Sequence, residues 1–280
     1  MPAAVTPNTS FLDAVVQRAL DGEFAVAAGT DPSEAHAAVG FLTVQAAKHT
    51  GRSTGYVNTV VSVRVGAAVG SCAVEPGAVD EKVVQDAVGR SVRELLAHPE
   101  PAVRVAALDA YLAFAAPHAT DPRARQVVVP AGSSLEKSMA RARAVAALTR
   151  VPDGGRVAVI GVVNSLLSAL RERGIDYVPC DLKGGRTEWG EPVVDDYARA
   201  VADADAVVAS GMVLGNGTFD DIADRCLHRN LPLTMFAQTG AAVLRELLGA
   251  PVQALSAEPY PFFWLTGDSS TLYSYEVGRT

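Results

Sequence analysis

From Tyr56 to Val65, apolar and polar residues alternate. Val57, Thr59, Val61, Val63 and Val65 fall on one side, and Asn58, Ser62 and Arg64 on the other. A two-residue period is the mark of a half-buried strand, and AAVGSCAVEP, after Gly66, supplies a second strand returning beside it. The segments around this pair have a helical period. NTSFLDAVVQRALDG offers Ser10 as cap, an apolar stripe of Phe11, Val15 and Leu20, and Gly22 as stop. DPSEAHAAVGFLTVQAAKH (31–49) reads as a second helix with Pro32 in its first turn. DEKVVQDAVGRSVRELLAHP and PAVRVAALDAYLAFAAP read as two more, parted at Pro99.

Beyond residue 150 the pattern changes. Short apolar runs (RVAVIG, IDYVPC, DAVVAS, LPLTMF, PVQAL) alternate with amphipathic segments that start near Asn164, Val194, Thr218 and Ala241. Repeated strand–helix units of this kind build a parallel sheet with helices on both faces. The predicted fold class is therefore α/β: a C-terminal Rossmann-like sheet (126–280) after a smaller α+β domain (8–118). The boundary falls within 118–132, where HATDPRARQVVVPAG is polar and carries two prolines. SLEKSMARARAVAALTRV then bridges the two parts. PFFWLTGDSSTLYSYEV, in the aromatic-rich C-terminal region, reads as two strands joined at Gly267-Asp268-Ser269. It either packs as a terminal hairpin or forms the aromatic wall of a pocket or of a homodimer interface.

Composition narrows the function classes. The chain has 280 residues, is 49% hydrophobic and carries a net charge of −7. That suffices for real cores and argues against nucleic acid or an anionic membrane as the main partner. No apolar run is long enough to cross a bilayer, and MPAAVTPNTSFLDAVV lacks a basic region ahead of an apolar core, so no secretory leader is expected. Three widely spaced cysteines (Cys72, Cys180, Cys226) fit a reducing cytoplasm better than a disulfide scaffold.

Ligands of a parallel α/β sheet collect at the carboxyl ends of its strands. That rule selects the loops 161–165, 180–188, 210–218 and 236–241. The first supplies Asn164 and Ser165. The third supplies Ser210, Asn216 and Thr218, with Gly211, Gly215 and Gly217 free to turn backbone amides toward an anion. Thr218 followed by Asp221 also reads as an ordinary capping box. Gln238 and Thr239 are neutral hydrogen-bonders, with helix capping by Thr239 the plainer alternative. CDLKGGRTEWGEP is a polar loop, either solvated or a lid carrying Lys183 and Arg186. Neither G-x-G-x-x-G nor a P-loop is present, so no NAD or nucleoside-triphosphate site is expected, and the cofactor is unknown. The five histidines and three cysteines form no local ligand pair. Cys72 could join Glu75 in a site assembled across the domains, or be a buried thiol. Cys226 falls on the apolar face of its helix. Asp109 stands out as a carboxylate on a helix apolar on most sides, and it must be paired, hydrogen-bonded or at an interface; a structural salt bridge is the plainer reading and catalysis the alternative.

ADAVVASGMVLGNGTFDDI, VAVIGVVNSLLSALRERG and LPLTMFAQTGAAVLRELLGAPVQAL resemble successive units of the heavy-metal chelation family, in which an enolase-N-terminal-like domain precedes a Rossmann-like one. VGSCAVEP and VGRSVRELLAHPEPAVRVAALDAY resemble its smaller domain, although the family usually has Asn-Ala where this chain has Asp109-Ala110, and often a larger Gly-rich turn near Gly70. The resemblance implies a ligand between the domains, contacted by Asn164, Ser210, Gly211, Asn216, Gly217, Thr218, Gln238 and Thr239. It settles no reaction.

The expected function is an enzyme of specialised or cofactor metabolism that binds a small polar molecule, amino-acid-like or metal-chelating, in that cleft. Asp109 or Glu75 would supply acid–base help. The alternative is a non-catalytic carrier of a heavy metal or its chelate.

Overall fold

The computed structural model describes residues 10–52 and 55–278. Residues 1–9, where most of the leader was sought, lie outside the described residues.

Ser10 caps α1 (Phe11–Leu20) by accepting from the Asp13 amide. A single turn, α2 (Ala25–Ala28), leads to an antiparallel meander of β1 (Ala37–Ala47), β2 (Tyr56–Val65) and β3 (Ala68–Val74), in that spatial order. The helix expected over 31–49 is therefore strand β1. Its Ala-rich composition favours helix only locally. Val39, Phe41, Thr43 and Val44 instead pair with β2 along nearly its whole length, and this tertiary pairing outweighs propensity. The expected helix over 80–99 is two pieces, α3 (Glu81–Ala87) and α4 (Val92–Leu96). Gly89, at φ +86°, breaks the chain between them, and a capping box of Ser91 and Glu94 restarts it.

The helix apolar on most sides, α5 (Pro101–Ala115), is the central element. Residues Ala102–Val103 and Val105–Leu112 are all buried. The buried face of β2 (Val61, Val63, Val65) packs on one side of α5, and β3 comes close enough that Gly70 touches helix backbone. A Cβ at Gly70 would lie 2.0 Å from the Ala110 nitrogen and 2.3 Å from the Ala106 carbonyl. Gly70→Ala must push strand from helix, and we expect urea unfolding to show a loss of about 1–3 kcal/mol. Full stability in that variant would show that the contact can relax at no cost.

The remaining chain forms a seven-stranded sheet. In chain order its elements are β4 (Arg125–Val129), α6 (Ser134–Leu148), β5 (Arg156–Ile160), α7 (Asn164–Glu172), β6 (Asp176–Cys180), α8 (Tyr197–Ala202), β7 (Ala206–Ser210), α9 (Met212–Gly215), α10 (Phe219–Arg229), β8 (Leu233–Ala237), α11 (Ala241–Arg245), β9 (Ala254–Ala257) and β10 (Ser270–Glu276). The spatial order is β4-β10-β9-β8-β7-β5-β6, with β10 antiparallel to both neighbours and the rest of the sheet parallel. This is the expected α/β class, with helices on both faces. The pleat sorts the side chains: Val157, Val159, Ala206 and Val208 face α6 and α7, while Ala158, Ile160, Val207 and Ala209 face the side holding α5, α8, α10 and α11.

Within the segment 118–132, RQVVV forms β4 and pairs with β10 at the edge of the large sheet. One expectation near the end of this region fails. The predicted C-terminal hairpin has only its second strand, β10, which pairs with β9 and β4 instead. The first half, around Phe262–Asp268, is an irregular loop tied down by the buried Lys137, whose Nζ donates to the carbonyls of Thr266 and Asp268 and to Ser270. Among the described residues no helix is long and apolar enough to cross a membrane.

Candidate functional site

The parallel strands run β6-β5-β7-β8-β9, so the chain reverses direction across the sheet between β5 and β7. The loops after these two strands leave toward opposite faces and open a crevice at their carboxyl ends. Here the crevice opens on Gly161 after β5, on Ser210 at the end of β7 and on Gly211 after it. Gly161 adopts φ +87°, and a Cβ there would lie 2.6 Å from the Ser210 hydroxyl, so the position requires glycine for two reasons.

The small meander covers this crevice. Tyr56, Asn58 and Val60 of β2, with Ala73 and Glu75 from the end of β3, face the strand ends across a cavity of about 180 Å³. Gln238 and Thr239 beyond β8 close one side. Phe236, Phe263 and Trp264 form an aromatic side, and α6 contributes Ser138 and Arg141. A smaller annex of about 40 Å³ adjoins it, sharing Tyr56, Ser138 and Val163 and adding His49, Arg52 and Asn164.

Both signs of charge line the cavity. Arg141, with a side chain only 6% exposed, donates from Nε to Glu258 at 2.7 Å. Its guanidinium lies 4.5 Å from the ring centre of Phe236 and 5.7 Å from that of Phe263. Glu258 is wholly buried. Burial pushes its carboxyl up from the usual range, against the pull of Arg141, and its Oε2 has no hydrogen-bond partner among the described residues. Asp181 accepts from the Val162 amide and from the Lys183 amide, pinning the loops after β5 and β6 together. At the mouth, Lys183 Nζ sits 3.0 Å from Glu75.

The predicted site residues divide. Ser210, Gly211, Gln238, Thr239 and Glu75 line the main cavity, and Asn164 lines the annex. Asn216, Gly217 and Thr218 line neither. Asn216 is exposed, and its side chain accepts from the amide and hydroxyl of Thr218. Thr218 lacks the expected capping bond at the start of α10. Within the turn, Gly215 serves packing: a Cβ there would meet the Ala73 carbonyl at 2.3 Å and the Cys72 sulfur at 2.8 Å. The turn thereby seats the sheet against the meander.

Asp109 also lies away from the cavity lining. One carboxylate oxygen accepts from the Ser71 amide at 2.9 Å and the other from the Ala242 amide at 2.8 Å, so the residue joins α5 to β3 and to the start of α11. Burial raises its carboxyl to about 6 despite these bonds. Among the described residues it forms no salt bridge, and it is a buried carboxylate held by backbone amides. The three thiols are buried and free. Burial pushes Cys180 and Cys226 up to about 12 and Cys72 higher still, so none is a thiolate at neutral pH. The polar loop 181–191 is tied down by Thr187–Glu191 hydrogen bonds, by an ion pair between Arg52 and Glu188, and by the Asn164 side chain accepting from the Glu188 amide.

Arg141 was missed, although its signal was in the sequence: a cation beside the apolar Ala142, Val145 and Ala146 of α6, in a helix that also carries Lys137 and Arg143. Tyr56 and Asn58 come from the solvent-side end of an alternating strand, and no local pattern marks them.

Two solved structures share this arrangement over nearly the whole chain. Both are described as DUF364-family proteins of unknown function. The one from Pyrococcus horikoshii is 17% identical, with 95% of this chain and 100% of that chain covered and a TM-score of 0.55. The one from Desulfitobacterium hafniense is 15% identical, with 86% and 87% covered and a TM-score of 0.54. The fold is that of the DUF364 structures. At this identity the likeness extends to fold alone. No protein-family model matches the sequence, and no curated protein does.

Proposed function

We propose that the cleft is the active site of an enzyme of specialised or cofactor metabolism acting on a small, amino-acid-like polar molecule. One observation carries this reading. The crevice where the strand order reverses is roofed by a second sheet and lined at once by cations (Arg141, Lys183), carboxylates (Glu75, Asp181) and aromatic rings. A molecule with both charges and an apolar portion finds a partner for each part there. Glu75, at the rim, supplies the carboxylate for proton transfer, and Ser210 and Gln238 supply neutral hydrogen bonds.

The alternative of a heavy-metal carrier has less support. Among the described residues no group of three or more His, Cys, Asp and Glu side chains is placed to hold an ion. Native mass spectrometry with metal analysis of the purified protein tests the choice. A copurified organic molecule, lost from a cleft variant, supports the enzyme. A stoichiometric transition metal that survives a mild chelator supports the carrier.

Ser210→Ala is the cleft variant of choice. The hydroxyl donates to no group among the described residues, so its loss should change stability by less than about 0.5 kcal/mol. We expect binding of the copurified molecule to fall roughly tenfold, the equivalent of about 1.4 kcal/mol. Unchanged binding in this variant would remove Ser210 from the site.

A further inference from the structure

We infer that the cleft's ligand carries a carboxylate group, anchored by the guanidinium of Arg141. This inference rests on reading the cleft as a small-molecule site and specifies which molecules enter it. Arg141 is nine-tenths buried and lines the cavity. Among the described residues its only hydrogen bond runs from Nε to Glu258, which leaves the paired N–H groups of its two terminal nitrogens without an acceptor. A guanidinium fork with its terminal edge unsatisfied, held in place between Phe236 and Phe263, presents two parallel donors at the spacing of a carboxylate's two oxygens.

The surrounding charges favour a single negative charge over a double one. Glu258 already balances Arg141, Asp181 and Glu75 line the same cavity, and Lys183 is paired with Glu75. A phosphate dianion would meet two facing carboxylates with no free cation among the described lining residues. A carboxylate adds one charge and satisfies the fork. The rings of Phe236, Phe263 and Trp264 beside it fit an apolar or planar body attached to that carboxylate.

Four probes of similar shape test this: benzoate, benzamide, phenylphosphonate and benzylamine, titrated by the fluorescence of Trp264, which lines the cavity. Each is titrated against the intact chain and against Arg141→Lys, which keeps the charge beside Glu258 but removes the planar fork; a thermal melt confirms that the variant is folded. Arg141→Gln combined with Glu258→Gln serves as the second variant if the first unfolds. We expect the intact chain to bind benzoate at least tenfold more tightly than benzamide or benzylamine. We expect the variant to lose that preference while its affinity for benzamide is unchanged. Equal binding of benzoate and benzamide, a preference for phenylphosphonate, or a benzoate preference that survives in the variant overturns the carboxylate anchor and leaves the cleft reading standing. Failure of all four probes to saturate overturns both.

Discussion

Arg141→Met is expected to lower the stability of the protein by about 3–5 kcal/mol at neutral pH, because it strands Glu258 as an unpaired carboxylate in the interior. Glu258 is wholly buried, its Oε1 lies 2.7 Å from the Arg141 Nε, and its Oε2 already lacks a partner among the described residues. The double variant Arg141→Met/Glu258→Met removes both charges and should recover most of the loss, since apolar pairs often replace buried ion pairs without penalty. Acid should recover it too. A buried glutamate without its cation has a folded pKa raised above the unfolded value. Its ionisation therefore costs stability as pH rises, and the single variant's deficit should shrink as pH falls toward the ordinary carboxylate range. Urea unfolding of the three proteins from pH 5 to pH 8 measures this. A double variant no more stable than the single one would mean that the two charges are not coupled.

Asp109→Asn is expected to cost about 1–3 kcal/mol and to leave binding in the cleft unchanged. Both oxygens accept from backbone amides, of Ser71 and Ala242. An asparagine has one acceptor and turns its NH₂ toward the other amide, leaving a buried donor unsatisfied. The wild-type carboxylate also has a pH signature. Its folded pKa of about 6 lies above the ordinary aspartate value of 3.8, so its contribution is fully present below about pH 4 and is lost as pH rises through 6. Asp109→Asn removes that dependence, and the difference between the two proteins should vary with pH across this window. A variant that melts like wild type but no longer binds the cleft's ligand would return Asp109 to the active site.

The same two residues show what the sequence could disclose. A charge at an apolar helix position means that its environment compensates for it, and at Asp109 that alarm rang correctly. What compensated was invisible, because Ser71 and Ala242 lie 38 and 133 residues away in the chain. Arg141 gave the same alarm in a helix whose other charges made it inconspicuous. The strand–helix alternation after residue 150 was legible because buried parallel strands are short apolar runs bounded by glycine. Strand β1 was not, because its alanines favour helix and its identity comes from pairing with β2. The loops after β5, β7 and β8 followed from the sheet rule, which locates the open end of a crevice. It gives no account of what roofs the crevice, so Tyr56 and Asn58 were missed. Of the glycines in the 210–218 turn, Gly211 lines the cavity and Gly215 does not, and both also mark places where backbone meets backbone, which no sequence pattern shows: a Cβ at Gly211 would lie 2.3 Å from the Thr239 carbonyl.

One apolar core runs without interruption from Val15 and Val63 through α5 to Met235 and Tyr275, so the meander and the large sheet share it. The two walls of the cleft are therefore fixed to the same block. Swinging them apart about a hinge would tear α5 from one of them and expose that core to water. The cleft is thus preformed, and a ligand gains entry by movement at the rim, where the less exposed Arg52–Glu188 pair joins the meander to the polar loop and the exposed Lys183–Glu75 pair spans the mouth beside it. Ion pairs this exposed are worth at most about 1 kcal/mol and weaken as salt rises. Entry should accordingly quicken with ionic strength while the fold, held by its buried contacts, barely responds.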